Sequence, residues 1–156
     1  MITVTDVIKA VSQVCEDLFG APPVTKDLRE GFQRPCCYLT PTDIRRERMG
    51  GLRRETVELE LVRFAEQTHK GWLSLMQAQA ALGEALETPI PVAEAFHLMA
   101  EDVDFDAVRE DMALYCTFTV EYVQQLPASV TEDPESSADL MKSLQLNDYL
   151  FEESEE

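Results

Sequence analysis

Apolar residues recur at three- and four-residue spacing from Val7 to Phe19, through Ile8, Val11, Val14, Cys15 and Leu18. That stripe predicts one amphipathic helix, capped by Thr5 or Asp6. Gly20 and Ala21-Pro22-Pro23 stop it. A short strand over 24–28 is expected before the turn at Gly31, and Pro35 then opens a strand over 36–40 that Pro41 closes. From Thr42 to Leu52 the chain is polar with Gly50-Gly51 at its tip, the pattern of a long hairpin-like loop. Thr56 to Phe64 alternates, with Val57, Leu59 and Leu61 on one side and Glu58 and Glu60 on the other. Such a pattern predicts a half-exposed strand.

A second helix is expected over 72–86, its stripe made of Trp72, Leu75, Met76, Gln79, Leu82 and Leu86, with Pro89 and Pro91 beyond its end. Val92 to Glu101 reads as a strand and Asp102 to Asp111 as an acidic turn. Ala113 to Val123 alternates most regularly, setting Leu114, Cys116, Phe118, Val120 and Tyr122 against Thr117, Thr119 and Glu121. The predicted order is α-β-β-β-α-β-β. Its economical packing is an α+β fold, two helices on one face of a mostly antiparallel sheet. Patterning ends after Leu126, which divides the chain into a domain of residues 1–126 and an acidic C-terminal extension of residues 127–156.

Charge sharpens this picture. The chain has 156 residues and a net charge of −17, and residues 127–156 alone hold nine acids and one base. A surface of that sign opposes phosphate-backbone binding, so no specific nucleic-acid partner is expected. No apolar run approaches the ~20 residues of a membrane span, and the first residues lack a signal-peptide pattern. A cytosolic product with no membrane partner is therefore expected. The exception to the acidity is local: Arg45, Arg46, Arg48, Arg53 and Arg54 stand within ten residues.

No constellation for catalysis can be assembled. Gly50-Gly51 lacks the Lys-Ser and helix start of a phosphate loop, and no G-x-S-x-G or H-E-x-x-H is present. Asp102, Asp104 and Asp106 hint at calcium, but Ala107 and Ala113 stand where a calcium loop needs Gly and Glu. A solvated acidic turn is the simpler reading. Cys15, Cys36, Cys37 and Cys116 have no metal-ligand spacing. Cys15 and Cys116 fall in apolar registers as buried thiols. Adjacent Cys36 and Cys37 must point to opposite faces of their strand. His97 reads as a structural histidine in a strand, and Trp72 as core packing at a helix start. Hence no catalytic residue, cofactor or metal is expected.

The segment Val24-Thr25-Lys26-Asp27-Leu28-Arg29-Glu30-Gly31-Phe32-Gln33-Arg34-Pro35-Cys36 resembles the Y-x-E-x-V-x-Q-G-F-x-x-P-C-F element of the phage tail-terminator family. Arg53-Arg54-Glu55-Thr56-Val57-Glu58-Leu59-Glu60-Leu61 is similar to that family's R-R-x-x-x-F-x-I-x-Y-F strand. Glu30 replaces the usual Gln, Cys37-Tyr38 replaces a Phe-rich strand, and the acidic tail has no counterpart. The resemblance implies a structural virion protein, assembled in the host cytoplasm and placed in the tail or neck. It implies a homo-oligomeric ring, usually of six subunits, that caps the tail tube, ends its polymerisation and meets the head connector. Its partners would be itself, the tail tube protein and neck proteins. The interface residues expected on that reading are Arg45, Arg46, Arg48, Arg53 and Arg54, with Leu140, Met141, Tyr149, Leu150 and Phe151 of the tail. A head–tail connector or completion protein, an acidic bacterial protein-binding module and a small enzyme are the alternatives.

Overall fold

The computed structural model describes residues 1–24 and 31–127. The first helix, α1 (Val4–Phe19), is capped by Thr3 rather than by Thr5 or Asp6. Asp6 is instead the other half of a capping box: its carboxylate accepts the Thr3 N–H at 2.8 Å, and the Thr3 hydroxyl accepts the Asp6 N–H at 3.3 Å. The Asp6 carboxyl is held below its ordinary pKa by the Thr3 N–H and by the Thr3 hydroxyl, 2.9 Å from the same carboxylate oxygen. Gly20 closes the helix in the left-handed conformation, φ 82°, where a side chain would be strained.

Of the strand expected over 24–28, Val24 makes an isolated parallel bridge to Tyr38, and the remainder lies outside the described residues. The next expectation is corrected. β1 runs from Cys36 to Met49, straight through Pro41, and turns at Gly50-Gly51 into β2 (Leu52–Phe64). What read as an arginine-rich loop is the outer half of a long hairpin. Its exposed residues on β1 carry no hydrophobic alternation, and that hid the strand. Residues 48–53 at the hairpin tip fall with 124–127 in a second compact unit, within which the Leu126 N–H donates to the Gly51 carbonyl at 2.9 Å.

Helix α2 spans His69–Leu86 and buries Gly71, Leu75, Ala78, Leu82 and Leu86, spaced by three and four. The single strand expected over 92–101 is three pieces. Ile90–Ala93 (β3) and Phe96–Leu98 (β4) form a two-stranded hairpin, and Ala100 already belongs to β5 (Ala100–Val108). β5 also replaces the predicted acidic turn. A bulge between Glu101 and Asp104 interrupts its ladder, and Asp102 there has φ 53°. β6 (Ala113–Gln125) matches its prediction.

The main sheet has the order β1-β2-β6-β5. β5 and β6 are antiparallel, and the two-residue turn makes β1 and β2 so. Contacts of Thr56 with Glu121 at one end and Ala65 with Met112 at the other show that β2 and β6 also run oppositely. Both helices close over one face. Val57, Leu59 and Leu61 of β2 join Leu114, Cys116, Phe118, Val120 and Tyr122 of β6 in a single core with Val7, Val11 and Cys15 of α1 and Leu75 and Leu82 of α2. Each large apolar side chain buried there contributes roughly 1.5–3 kcal/mol. Among the described residues, the other face holds a small cluster at one end, Val62, Phe64 and Ala113 with Phe32, Cys36, Tyr38 and Tyr115 against them. The chain is thus α+β, two helices with a mostly antiparallel sheet.

The glycines of α2 are not equivalent. A Cβ on Gly71 would stand 2.0 Å from the Glu66 carbonyl oxygen, a backbone atom that cannot step aside, whereas one on Gly83 meets only Phe105 at 3.9 Å. Gly71→Ala is expected to lower the thermal midpoint, and Gly83→Ala to stabilise by about 0.5–1 kcal/mol through helix propensity. Thermal denaturation of the two variants beside the parent checks both signs.

Candidate assembly interface

Two places in unit 1 (Met1–Glu47 and Arg54–Val123) concentrate charged chemistry. The first is the arm of the hairpin. Glu55 is 1% exposed, on the same side of β2 as the core residues Val57, Leu59 and Leu61. The Tyr122 hydroxyl donates to its Oε1 at 2.5 Å, and Arg46 Nε donates to its Oε2 at 2.5 Å. Arg46 itself is exposed, so its guanidinium forms a lid over a carboxylate drawn into the core. That bond raises the Arg46 pKa. Desolvating a carboxylate is costly unless it is bonded on both oxygens, and here it is.

On the opposite side of the sheet, Arg54 bridges Glu47 of β1 at 3.0 Å and Glu121 of β6 at 3.6 Å. Arg45 reaches only along its own strand, to Asp43 at 3.4 Å, and its side chain is 74% exposed. Arg48 donates to the Gly50 carbonyl at the hairpin tip. Arg53 also belongs to that tip unit. Of the five arginines expected to form one patch, Arg46 and Arg54 are thus engaged with their own chain on opposite faces of the sheet. Leu140, Met141, Tyr149, Leu150 and Phe151 lie outside the described residues.

The second place is the turn that carries the resemblance. Gly31, φ 91°, brings Phe32 against Phe64, with ring centroids 4.5 Å apart. Arg34 lies over both rings at 5.3 and 5.2 Å and donates to the carbonyls of Ala65 at 2.8 Å and Asp111 at 3.0 Å. One side chain therefore ties the turn to the end of β2 and to the start of β6. Sequence reasoning missed Arg34, because its partners are 31 and 77 residues away. It missed Glu55 too, although the parity of Glu55 with Val57 and Leu59 was a usable signal.

The cysteines sit as their registers imply. Cys15, Cys37 and Cys116 are buried, while Cys36 is half-buried in the opposite cluster. The Cys37 thiol is pulled down to about 7 by its hydrogen bond with Cys15, with a further contribution from Arg63, whose Nη1 stands 3.5 Å from the sulfur. Cys15 is pushed up by the same pairing and by burial. Burial and Asp104 raise Cys116 to about 12. His97 lies in a strand, β4, and is exposed there. Trp72 packs on the core as expected, with Arg109 over its ring at 4.9 Å.

The family model for phage tail terminator protein matches residues 6–133, well over half of the 156. The chain belongs to that family, which places it among the structural proteins of bacteriophage tails. A comparison with curated proteins gives no match. Among the described residues, no helix is long and apolar enough to cross a membrane.

Tyr122→Phe would remove one hydrogen-bond donor from a buried carboxylate, a loss of about 2 kcal/mol in urea denaturation. Arg46→Ala should destabilise as well, by uncovering the same carboxylate. Combining either change with Glu55→Gln should soften the penalty, because a neutral amide costs less to bury.

Proposed function

We propose that this chain forms a closed ring of six copies at the head-proximal end of the tail tube. There it ends tube polymerisation and offers a surface to the head connector. The observation that carries the reading is the family match over residues 6–133. The sheet supports it: among the described residues its outer strands β1 and β5 have no further strand paired beyond them, apart from the isolated bridge of Val24 to Tyr38. A closed ring requires a head-to-tail contact in which two different surfaces of each copy meet. The work is binding and geometry, without turnover. The arginines of the hairpin are its proposed contact residues, with the tail residues named above.

The decisive experiment is size-exclusion chromatography with light scattering, followed by addition of the protein to polymerising tube protein. A six-copy mass and tubes that stop growing, seen by electron microscopy, are the expected results. A monomer at all concentrations and unchanged tube length would overturn the reading. We further propose that residues 1–126 are the folding unit. A chain lacking 127–156 should still unfold cooperatively on heating, and a broad, non-cooperative melt would refute the boundary.

A further inference from the structure

Between α2 and β5 the helix-side surface opens into an apolar groove. One half, of about 450 Å³, lies between Met76, Ala80 and Phe105, and the other, of about 410 Å³, between Leu86, Met99 and Val103. Gly83, Glu87 and Phe105 line both, which makes them one groove. Met99 is 46% and Val103 37% exposed. Gly83 weakens its own helix, yet the fold does not require it. A Cβ there would meet Phe105 at 3.9 Å, an ordinary contact. The missing side chain keeps the groove open.

Beside the groove runs the outer edge of β5. Among the described residues no strand is paired beyond it, and from Asp104 to Val108 its ladder to β6 is regular. Phe105 and Ala107 pack on the helix-side core, so by alternation Asp104 and Asp106 take the opposite face. Both are exposed, and the ion pairs among the described residues engage Asp43, Glu47, Glu55 and Glu121 instead. The negative field on that face is felt by Tyr115: burial, then the charges of Asp111, Glu60 and Asp106, raise its hydroxyl above the ordinary pKa. One edge thus offers an apolar groove on one side and unpaired carboxylates on the other.

We infer that the β5 edge is a docking site for an extended segment of a different protein, in which apolar side chains alternate with lysine or arginine. The segment adds to the sheet as a strand beside β5, its backbone bonded to the open edge. Period-two geometry then sends its apolar side chains into the groove, against Val103, Phe105 and Gly83. The basic ones take the other face, against Asp104 and Asp106. An acidic strand would be repelled there, and an all-apolar one would desolvate the carboxylates without pairing them. A second copy of this chain does not supply the segment. Nowhere among its 13 Lys and Arg do two stand two residues apart with an apolar residue between them, since Arg46 and Arg48 flank Glu47. The site needs nothing from the ring, and a single copy carries it whole.

A synthetic heptapeptide of alternating lysine and valine is the probe, titrated into the full chain at physiological salt. It should bind and slow hydrogen exchange at the amides of residues 104–108. Asp104→Asn with Asp106→Asn should weaken binding roughly tenfold, the effect of losing two exposed ion pairs. Gly83→Leu fills the groove from a helix position with room for it, and should weaken binding by a similar factor with circular dichroism unchanged. Glu16→Gln with Asp17→Asn, on α1, removes the same charge elsewhere and should leave binding at the parent level. A peptide of the same composition, its lysines and valines in separate blocks, should bind far more weakly. Equal binding of the blocked peptide, or an equal loss in the α1 variant, would mean attraction to net charge alone and overturns the inference. Binding that leaves exchange at 104–108 unchanged overturns it too, as does no detectable binding. Amides there already fully protected in the free chain would mean that the chain covers its own edge, which also overturns it.

Discussion

The carboxylate of Glu55 is the constraint around which the sheet is arranged. It is buried on a central strand, and its two oxygens are taken by Arg46 of β1 and Tyr122 of β6. These bonds connect three adjacent strands at one level. A slip of one residue in either pairing would turn Glu55 or its partners to the wrong face and leave a charge in the core without its bonds. Packed leucines in its place could be as stable, but they would tolerate neighbouring registers far better. The buried charge exchanges some stability for a single alignment of strands.

At the other end of the sheet Arg34 plays a comparable part with exposed chemistry. Its guanidinium covers Phe32 and Phe64 and bonds the carbonyls of Ala65 and Asp111. Between these two anchors the helix-side face is filled by aliphatic side chains, while the opposite face is largely polar, with Glu58, Glu121, Asp104 and Asp106 exposed. Among the described residues, the helices thus cover the sheet on one side, and its outer strands carry charges. The covered face holds the fold.

What the sequence determined by itself was each element whose face is uniformly buried. The stripe of α1, the strand β6 and the heart of β2 were legible because burial on one side imposes a strict period. Cys37 was correctly separated from Cys36 on the same ground, as was the α+β class. The resemblance between Val24 and Leu61 was legible as well, and the family match bears it out. Tertiary structure decided the remainder. β1 beyond Pro41 and β5 lie at the sheet's edges, where little is buried and acids or arginines replace the apolar period, so they read as loop and turn. Glu55 looked like one more surface acid because nothing local shows that Tyr122, 67 residues later, will supply its hydrogen bond. Period records burial, which Glu55 shares with Val57 and Leu59, but it does not name the distant partner that lets a charge be buried there.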